Sequence, residues 1–158
     1  MSKLQSRTLD KTGQLLADSI RGQWPEWKKY LRVVPKEKTL SRGCLSLKIP
    51  CPNPEVHRGL RITTFGSAIF VEFDHDILHI NDYQDEDPDL IALTVRIVEA
   101  YVTDRLLVVS WWQKKALKVI TSLEPDMPIE KDDTLSGPAS CRVRSWSGKY
   151  DRDTVYPN

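Results

Sequence analysis

The chain has 158 residues, of which 40% are hydrophobic and 28% charged, and its formal net charge is +1. These values are typical of a globular protein that builds its own core, so we predict a single domain over residues 1–158. The longest apolar runs, such as 106–109, have four residues and are far shorter than the ~20 residues of a membrane-spanning helix.

Cysteine usage and the N-terminal sequence both bear on the compartment. Cys44, Cys51 and Cys141 are odd in number and show no CxxC spacing, which argues against a disulfide framework and against a zinc site. The first residues, MSKLQSRTLDKTGQ, contain no apolar signal core. We therefore expect a reduced, cytoplasmic protein.

The charge is distributed unevenly along the chain. Residues 1–66 hold 13 Lys and Arg against 5 Asp and Glu, whereas residues 67–104 hold 1 against 10. The acidic block is densest at Asp74, Asp76, Asp82, Asp85, Glu86, Asp87 and Asp89. Such a concentration favours a basic partner and disfavours nucleic acid. A solvated loop that only keeps the protein soluble explains the pattern equally well.

The N-terminal third begins with helical periodicity. Apolar residues recur at helical spacing at Leu9, Leu16, Ile20, Trp24, Trp27 and Leu31. Because Pro25 is tolerated only in the first turn of a helix, we predict one helix to about Gly22 and a short second one over PEWKKYLR. The two tryptophans are expected to pack on a sheet.

A basic loop and a strand follow. The loop carries Lys36, Lys38 and Arg42, and it is not interpreted as a nucleic-acid patch because no aromatic residues are interleaved with it. Alternation over Cys44–Ile49 predicts a strand, which three closely spaced prolines end.

The clearest local pattern is a β-hairpin. Two apolar runs, Leu60–Phe65 and Ala68–Phe73, flank Gly66-Ser67, which is typical of a two-residue turn with glycine at positive φ. The resulting register puts Leu60, Ile62, Ile69, Val71 and Phe73 on one apolar face. It also places Arg61 opposite Glu72, a favourable cross-strand pair.

Downstream, a helix and a buried strand are predicted. Strand character continues through Ile77 and Ile80. The sequence Asp87-Pro88-Asp89 then predicts the start of a helix over about 88–104, with Asp87 as N-cap and a broad apolar face. Residues 106–112, LLVVSWW, are apolar on both faces and predict a central strand. The following stretch, 113–122, fits a strand or a helix, and 124–140 has loop composition.

The C-terminal stretch predicts a second hairpin. Strands 141–146 and 149–154 would be joined by Ser147-Gly148, with Arg144 opposite Asp151 and Arg142 opposite Asp153. Together the elements predict an α+β fold: an antiparallel sheet with an N-terminal helical segment and one long helix packed on it.

Few residues offer chemistry. Asp74, His75, Asp76 and His79 form the only cluster of catalytic or metal-binding types, but residues four apart on a strand lie ~13 Å from each other. GxSxG, HExxH and Gly-rich phosphate motifs are absent from the sequence. We expect no catalytic residue, metal or cofactor; the alternatives are a small metal- or His-dependent hydrolase that uses this cluster, and a structural or phage accessory protein.

Three tryptophans are candidate interface anchors. Trp111, Trp112 and Trp146 are of a type enriched in binding hot spots, although a sheet-on-helix core uses the same residues. We assign two of the three to the core and take Trp112 as the candidate contact residue.

Several segments together resemble a known family. They are PEWKKYLRV, CLSLKIPCPNP, LRITTFGSAIFVEFDHDILHIND, VVSWWQ and RVRSWSGKYD. Their order and spacing resemble small bacterial proteins, some of which are immunity proteins of polymorphic toxin systems, including contact-dependent growth inhibition. Where such proteins carry a His-x-His-Phe-like run, this chain has His79-Ile80-Asn81-Asp82.

The resemblance implies a cytosolic α+β protein that binds and neutralises the C-terminal domain of a cognate toxin without catalysis. We expect a monomer or weak dimer that binds neither nucleic acid nor membrane. The predicted contact residues are Asp74, Asp76, Asp82, Asp85, Glu86, Asp87 and Trp112. A basic toxin of the nuclease type would be attracted by these carboxylates.

Overall fold

The computed structural model describes residues 8–34 and 43–157, and the predicted basic loop with Lys36, Lys38 and Arg42 lies outside these ranges. The fold is α+β, as predicted. The expectation of one sheet is wrong, because the strands form two sheets, one of five strands and one of four.

The chain divides into two compact units. The first comprises residues up to Ile49 together with Arg61–Val71 and Leu78–Arg96. The second comprises Pro50–Leu60, Glu72–Ile77 and Ile97 onwards. A single domain over 1–158 stays a prediction.

The first unit begins with two helical segments, as the position of Pro25 predicts. Helix α1 spans Lys11–Gln23, and the side chain of Asp10 caps it by accepting a hydrogen bond from the N–H of Gly13. A 3-10 helix, Pro25–Tyr30, follows. Trp27 is buried and its ring stacks on Trp24 at 4.4 Å between centroids.

The five-stranded sheet has its strands in chain order. They are β1 (Leu31–Val34), β2 (Cys44–Ile49), β3 (Leu60–Phe65), β4 (Ala68–Phe73) and β5 (Asp76–His79). The first two residues of β1, Leu31 and Arg32, were predicted as the end of a helix; instead the strand pairs with β2, with Leu31 opposite Leu47. A tertiary partner has here overridden local helical spacing.

The hairpin of β3 and β4 is confirmed at its predicted bounds. Its turn is Gly66-Ser67, and Gly66 lies at φ +62°, a conformation that glycine adopts without steric cost. All five residues of the predicted apolar face are buried: Leu60, Ile62, Ile69, Val71 and Phe73.

A 3-10 helix, Ile80–Tyr83, and helix α2, Leu90–Val102, follow β5. The predicted N-cap at Asp87 is wrong by two residues. Asp89 accepts a hydrogen bond from the N–H of Ala92 at 3.0 Å, so the helix starts one residue after it. Within the second unit, Tyr101 of α2 is fully buried and its ring lies 5.1 Å from that of Phe73.

The four-stranded sheet has the order β7-β6-β8-β9. Its strands are β6 (Leu107–Gln113), β7 (Ala116–Leu123), β8 (Ala139–Arg144) and β9 (Arg152–Tyr156). Strand β6 is central and buried, as its apolar character predicts. The stretch 113–122 was predicted to be either a strand or a helix; most of it forms β7, which pairs with β6.

The C-terminal hairpin is confirmed in register but not in its turn. Arg142 lies opposite Asp153, as predicted. The two strands are joined by the loop 145–151 rather than by two residues, because the carboxylate of Asp151 accepts hydrogen bonds from the N–H and hydroxyl of Ser145. Arg144 pairs instead with Asp153, at 2.6 Å.

The core of the second unit lies on this sheet. Its buried members are Leu107, Val109, Trp111, Leu135, Ala139, Cys141 and Val143. All three cysteines are free, and burial raises the pKa of the Cys141 thiol to about 11. Within the described ranges, neither α1 nor α2 has the length and apolar character needed to cross a membrane.

Candidate functional site

In the first unit, the acidic segment 82–89 is held by hydrogen bonds to its own backbone and to the hairpin. The carbonyl of Tyr83 accepts from the N–H groups of Glu86 and Asp87, which closes a turn after the 3-10 helix. The side chain of Asn81 accepts from the N–H of Ile69 and donates to the carbonyl of Ser67. The segment therefore has a defined conformation next to the hairpin turn.

Some carboxylates of this segment already have partners. Asp87 pairs with Arg96 and accepts from the N–H of Asp89, whose own carboxylate caps α2. Asp82 lies 2.9 Å from Nδ1 of His79 and is 71% exposed at its side chain. These contacts stabilise the segment and leave Asp82 largely open to solvent.

Asp85 and Glu86 differ from the paired carboxylates of the segment. Both are exposed, and no basic side chain in the described ranges forms an ion pair with either of them. An unpaired surface carboxylate keeps its full field toward an approaching partner, whereas a paired one is partly neutralised.

In the second unit, Asp74 is buried rather than at the surface. The residue is 1% exposed and lies at φ +53°, in the left-handed region that Asp tolerates better than most residues. Its Oδ1 accepts from the N–H of His57 at 2.7 Å, and its own N–H donates to the carbonyl of Arg58. Asp74 thus fixes the loop before β3, and its side chain is buried in the described structure.

Asp76 also has an internal role. Its Oδ2 accepts from the hydroxyl of Tyr101 at 3.0 Å and from that of Ser122 at 2.6 Å. The two hydroxyls lie 3.1 Å apart, so the three side chains form a closed polar triangle between β5, α2 and β7. A carboxylate used in this way stabilises the unit.

Around His75 the second unit assembles four planar side chains. The ring of His75 stacks on that of His57 at 4.4 Å and meets the edge of Trp112 at 5.2 Å. The guanidinium of Arg142 lies over the Trp112 ring at 4.6 Å, a cation–π contact. Trp112 is therefore half-buried, and His75 and Arg142 already occupy part of its ring.

The pKa of His75 is lowered from its ordinary value, chiefly because burial disfavours the charged imidazolium. The carboxylate of Asp74 opposes this shift, while His57, Arg58 and Arg142 reinforce it. Nearby, the guanidinium of Arg58 donates a hydrogen bond to the carboxylate of Glu72 at 2.7 Å. The hairpin register also predicts Arg61 as a neighbour of Glu72. The environment favours a neutral, stacked His75 at neutral pH.

The cluster of Asp74, His75, Asp76 and His79 does not form a metal centre. Within residues 8–34 and 43–157, no three His, Cys, Asp or Glu side chains are grouped closely enough to hold a metal ion. His79 belongs to the first unit, where its ring stacks on Phe70 at 4.8 Å. The described residues therefore offer no ligand set for the metal-dependent hydrolase that is the alternative prediction.

Sequence reasoning missed the partners that bury Asp74, Asp76 and His75. These partners are His57, Tyr101, Ser122 and Arg142. His57, Tyr101 and Ser122 each lie at least 17 residues along the chain from the carboxylate or imidazole that they contact. Arg142 is brought beside Trp112 by the pairing of β8 with β6. No local pattern marks such pairs.

Comparison with known proteins returned no match: neither a family model, nor a curated protein, nor a solved structure corresponds significantly to this chain. The resemblance to immunity proteins thus stays a prediction.

Proposed function

We propose that this protein is an immunity protein, which binds the C-terminal domain of a cognate bacterial toxin and neutralises it without catalysis. The observation that carries the proposal is the exposure of Asp82, Asp85 and Glu86 on a conformationally defined segment of the first unit. Exposed carboxylates of this kind attract a basic protein and speed its association.

The proposed contact set is smaller than the sequence predicted. Asp74 and Asp76 leave it because their carboxylates are engaged inside the second unit. Asp87 remains at its border, since Arg96 neutralises it in part. Trp112 lies in the second unit and is proposed as a separate contact, because its side chain is partly exposed. We expect the protein to act in the cytoplasm as a monomer or weak dimer.

The proposal is tested with the protein encoded immediately upstream of this gene in its own genome, whose C-terminal domain we expect to be the toxin. We expect cells that express the toxin domain to grow when this chain is co-expressed, and the two purified proteins to form a 1:1 complex by size exclusion with light scattering. The double variant Asp85→Lys, Glu86→Lys should protect poorly, because each reversal replaces attraction of a basic partner by repulsion.

A matched control separates local from overall charge. Glu130 and Asp133 are also exposed acidic loop residues, and they lie outside the acidic segment. The double variant Glu130→Lys, Asp133→Lys changes net charge by the same amount and should protect like the wild type. Absence of both complex and protection contradicts the proposed function, and equal loss in both double variants contradicts the assignment of the surface.

A further inference from the structure

A groove runs between α1 and the start of α2 in the first unit. It consists of two adjoining depressions of about 360 and 430 Å³, which share Asp89 and Ile91. Along α1, the lining extends from Thr12 to Gln23, about three helical turns or ~16 Å. This length suits a segment of secondary structure better than a small molecule.

The walls of the groove combine polar and apolar side chains, and the apolar ones include a residue of α1 and two of α2. Leu15, which is 49% exposed, lies on the α1 side, and Ile91 and Val95, one turn apart, lie on the α2 side. Ile69 of β4 contributes to the lining. A large apolar side chain that remains half exposed in a concave surface is typical of a binding site rather than of a core.

The acidic segment 82–89 supplies one side of the same groove. Gln84, Pro88 and Asp89 line it, and the exposed, unpaired Asp85 and Glu86 stand between them in the chain. Arg96 also lines the groove and pairs with Asp87, so the negative field beside the groove comes chiefly from Asp85 and Glu86. Apolar side chains beside this negative charge are complementary to a helix that carries apolar residues on one face and Lys or Arg beside them.

From this arrangement we infer that the groove between α1 and α2 receives an amphipathic, basic helix of the toxin domain. The inference rests on the proposed function and deepens it, since it names the surface and the kind of segment bound. Leu15 and Ile91 anchor the apolar face of the helix. The carboxylates of Asp85 and Glu86 attract its basic residues and set its orientation.

The groove is tested with a defined probe, so that the test does not depend on the toxin. The probe is a fluorescent peptide of ~14 residues, four helical turns, built of leucine and lysine in amphipathic order. Its binding to the full chain is measured by fluorescence anisotropy at low and high salt. Two control peptides replace leucine by serine or lysine by glutamate; we expect both to bind at least tenfold more weakly.

Substitution of Leu15 provides the decisive comparison. Leu15→Gln keeps a good helix former and should weaken peptide binding about fivefold, because roughly half of a leucine side chain is available for burial. Met127 is equally exposed, at 49%, and lies in a loop of the second unit, so Met127→Gln should bind like the wild type. Asp85→Asn with Glu86→Gln should weaken binding chiefly at low salt.

The possible outcomes separate this inference from the proposed function. If Leu15→Gln binds the peptide as the wild type does, the groove is not the site, whereas the toxin complex and its charge variants still decide the function. If the wild type is a dimer that Leu15→Gln dissociates, and the peptide does not bind, a second copy of the chain fills the groove and the inference is overturned. Loss of binding in both Leu15→Gln and Met127→Gln also overturns it.

Discussion

Removing the Tyr101 hydroxyl tests whether Asp76 is an internal or a partner-facing carboxylate. Tyr101 is fully buried, and its hydroxyl donates to Asp76 Oδ2 at 3.0 Å. A buried hydrogen bond to a charged group contributes ~1.5–3 kcal/mol, so Tyr101→Phe should lower the free energy of unfolding by about 2 kcal/mol. Asp76 then keeps the hydrogen bond from Ser122, which limits the loss.

The assay is urea unfolding followed by tryptophan fluorescence, with Tyr83→Phe as the matched control. Tyr83 is 38% exposed, and we expect removal of its hydroxyl to change stability by less than ~0.5 kcal/mol. The loss in Tyr101→Phe corresponds to ~4–8 °C in Tm for a chain of this size. A stability within ~0.5 kcal/mol of the wild type would refute the closed polar triangle.

Two further predictions concern the second unit. The pKa of His75 is lowered in the folded state, so the unfolded chain binds the proton more readily. The contribution of His75 to stability is therefore full above the ordinary pKa of 6.5 and falls as the pH drops through it. We expect His75→Phe to flatten the profile of the urea midpoint against pH, measured from pH 7.5 to 5. An equally steep profile in that variant would contradict the assignment. Asn53 is 6% exposed, and its side chain donates hydrogen bonds to the carbonyl of Ser145 and to the carboxylate of Asp151. Asn53→Ala should therefore lower the free energy of unfolding in urea by ~2–3 kcal/mol. A loss under ~0.5 kcal/mol would show that loop 145–151 is held by other contacts.

Local patterns predicted the elements whose partners are near in the chain. The strand Cys44–Ile49 and the hairpin of β3 and β4 appear at their predicted bounds, because alternation and the Gly66 turn are encoded within a few residues. The start of α2 was misplaced because Asp87 and Asp89 both satisfy the pattern of an N-cap. Only the hydrogen bond from Ala92 distinguishes them.

Elements fixed by distant contacts escaped prediction. Strand β1 exists because Leu31–Val34 pairs with β2, and β7 is a strand because it pairs with β6. The same reason explains the candidate site. Composition identified the acidic block but could not show that Asp74 and Asp76 are engaged by His57 and Tyr101. The exposed carboxylates of 82–89 are therefore the ones that we propose as the contact surface.

The association rate with the toxin domain, measured by stopped flow over a range of ionic strength, tests the central claim most directly. We predict that the rate falls steeply with added salt, and that Asp85→Lys, Glu86→Lys lowers it at least tenfold at low salt while Glu130→Lys, Asp133→Lys does not. A rate that is independent of salt, or equal in the two double variants, would contradict an acidic surface that attracts a basic partner.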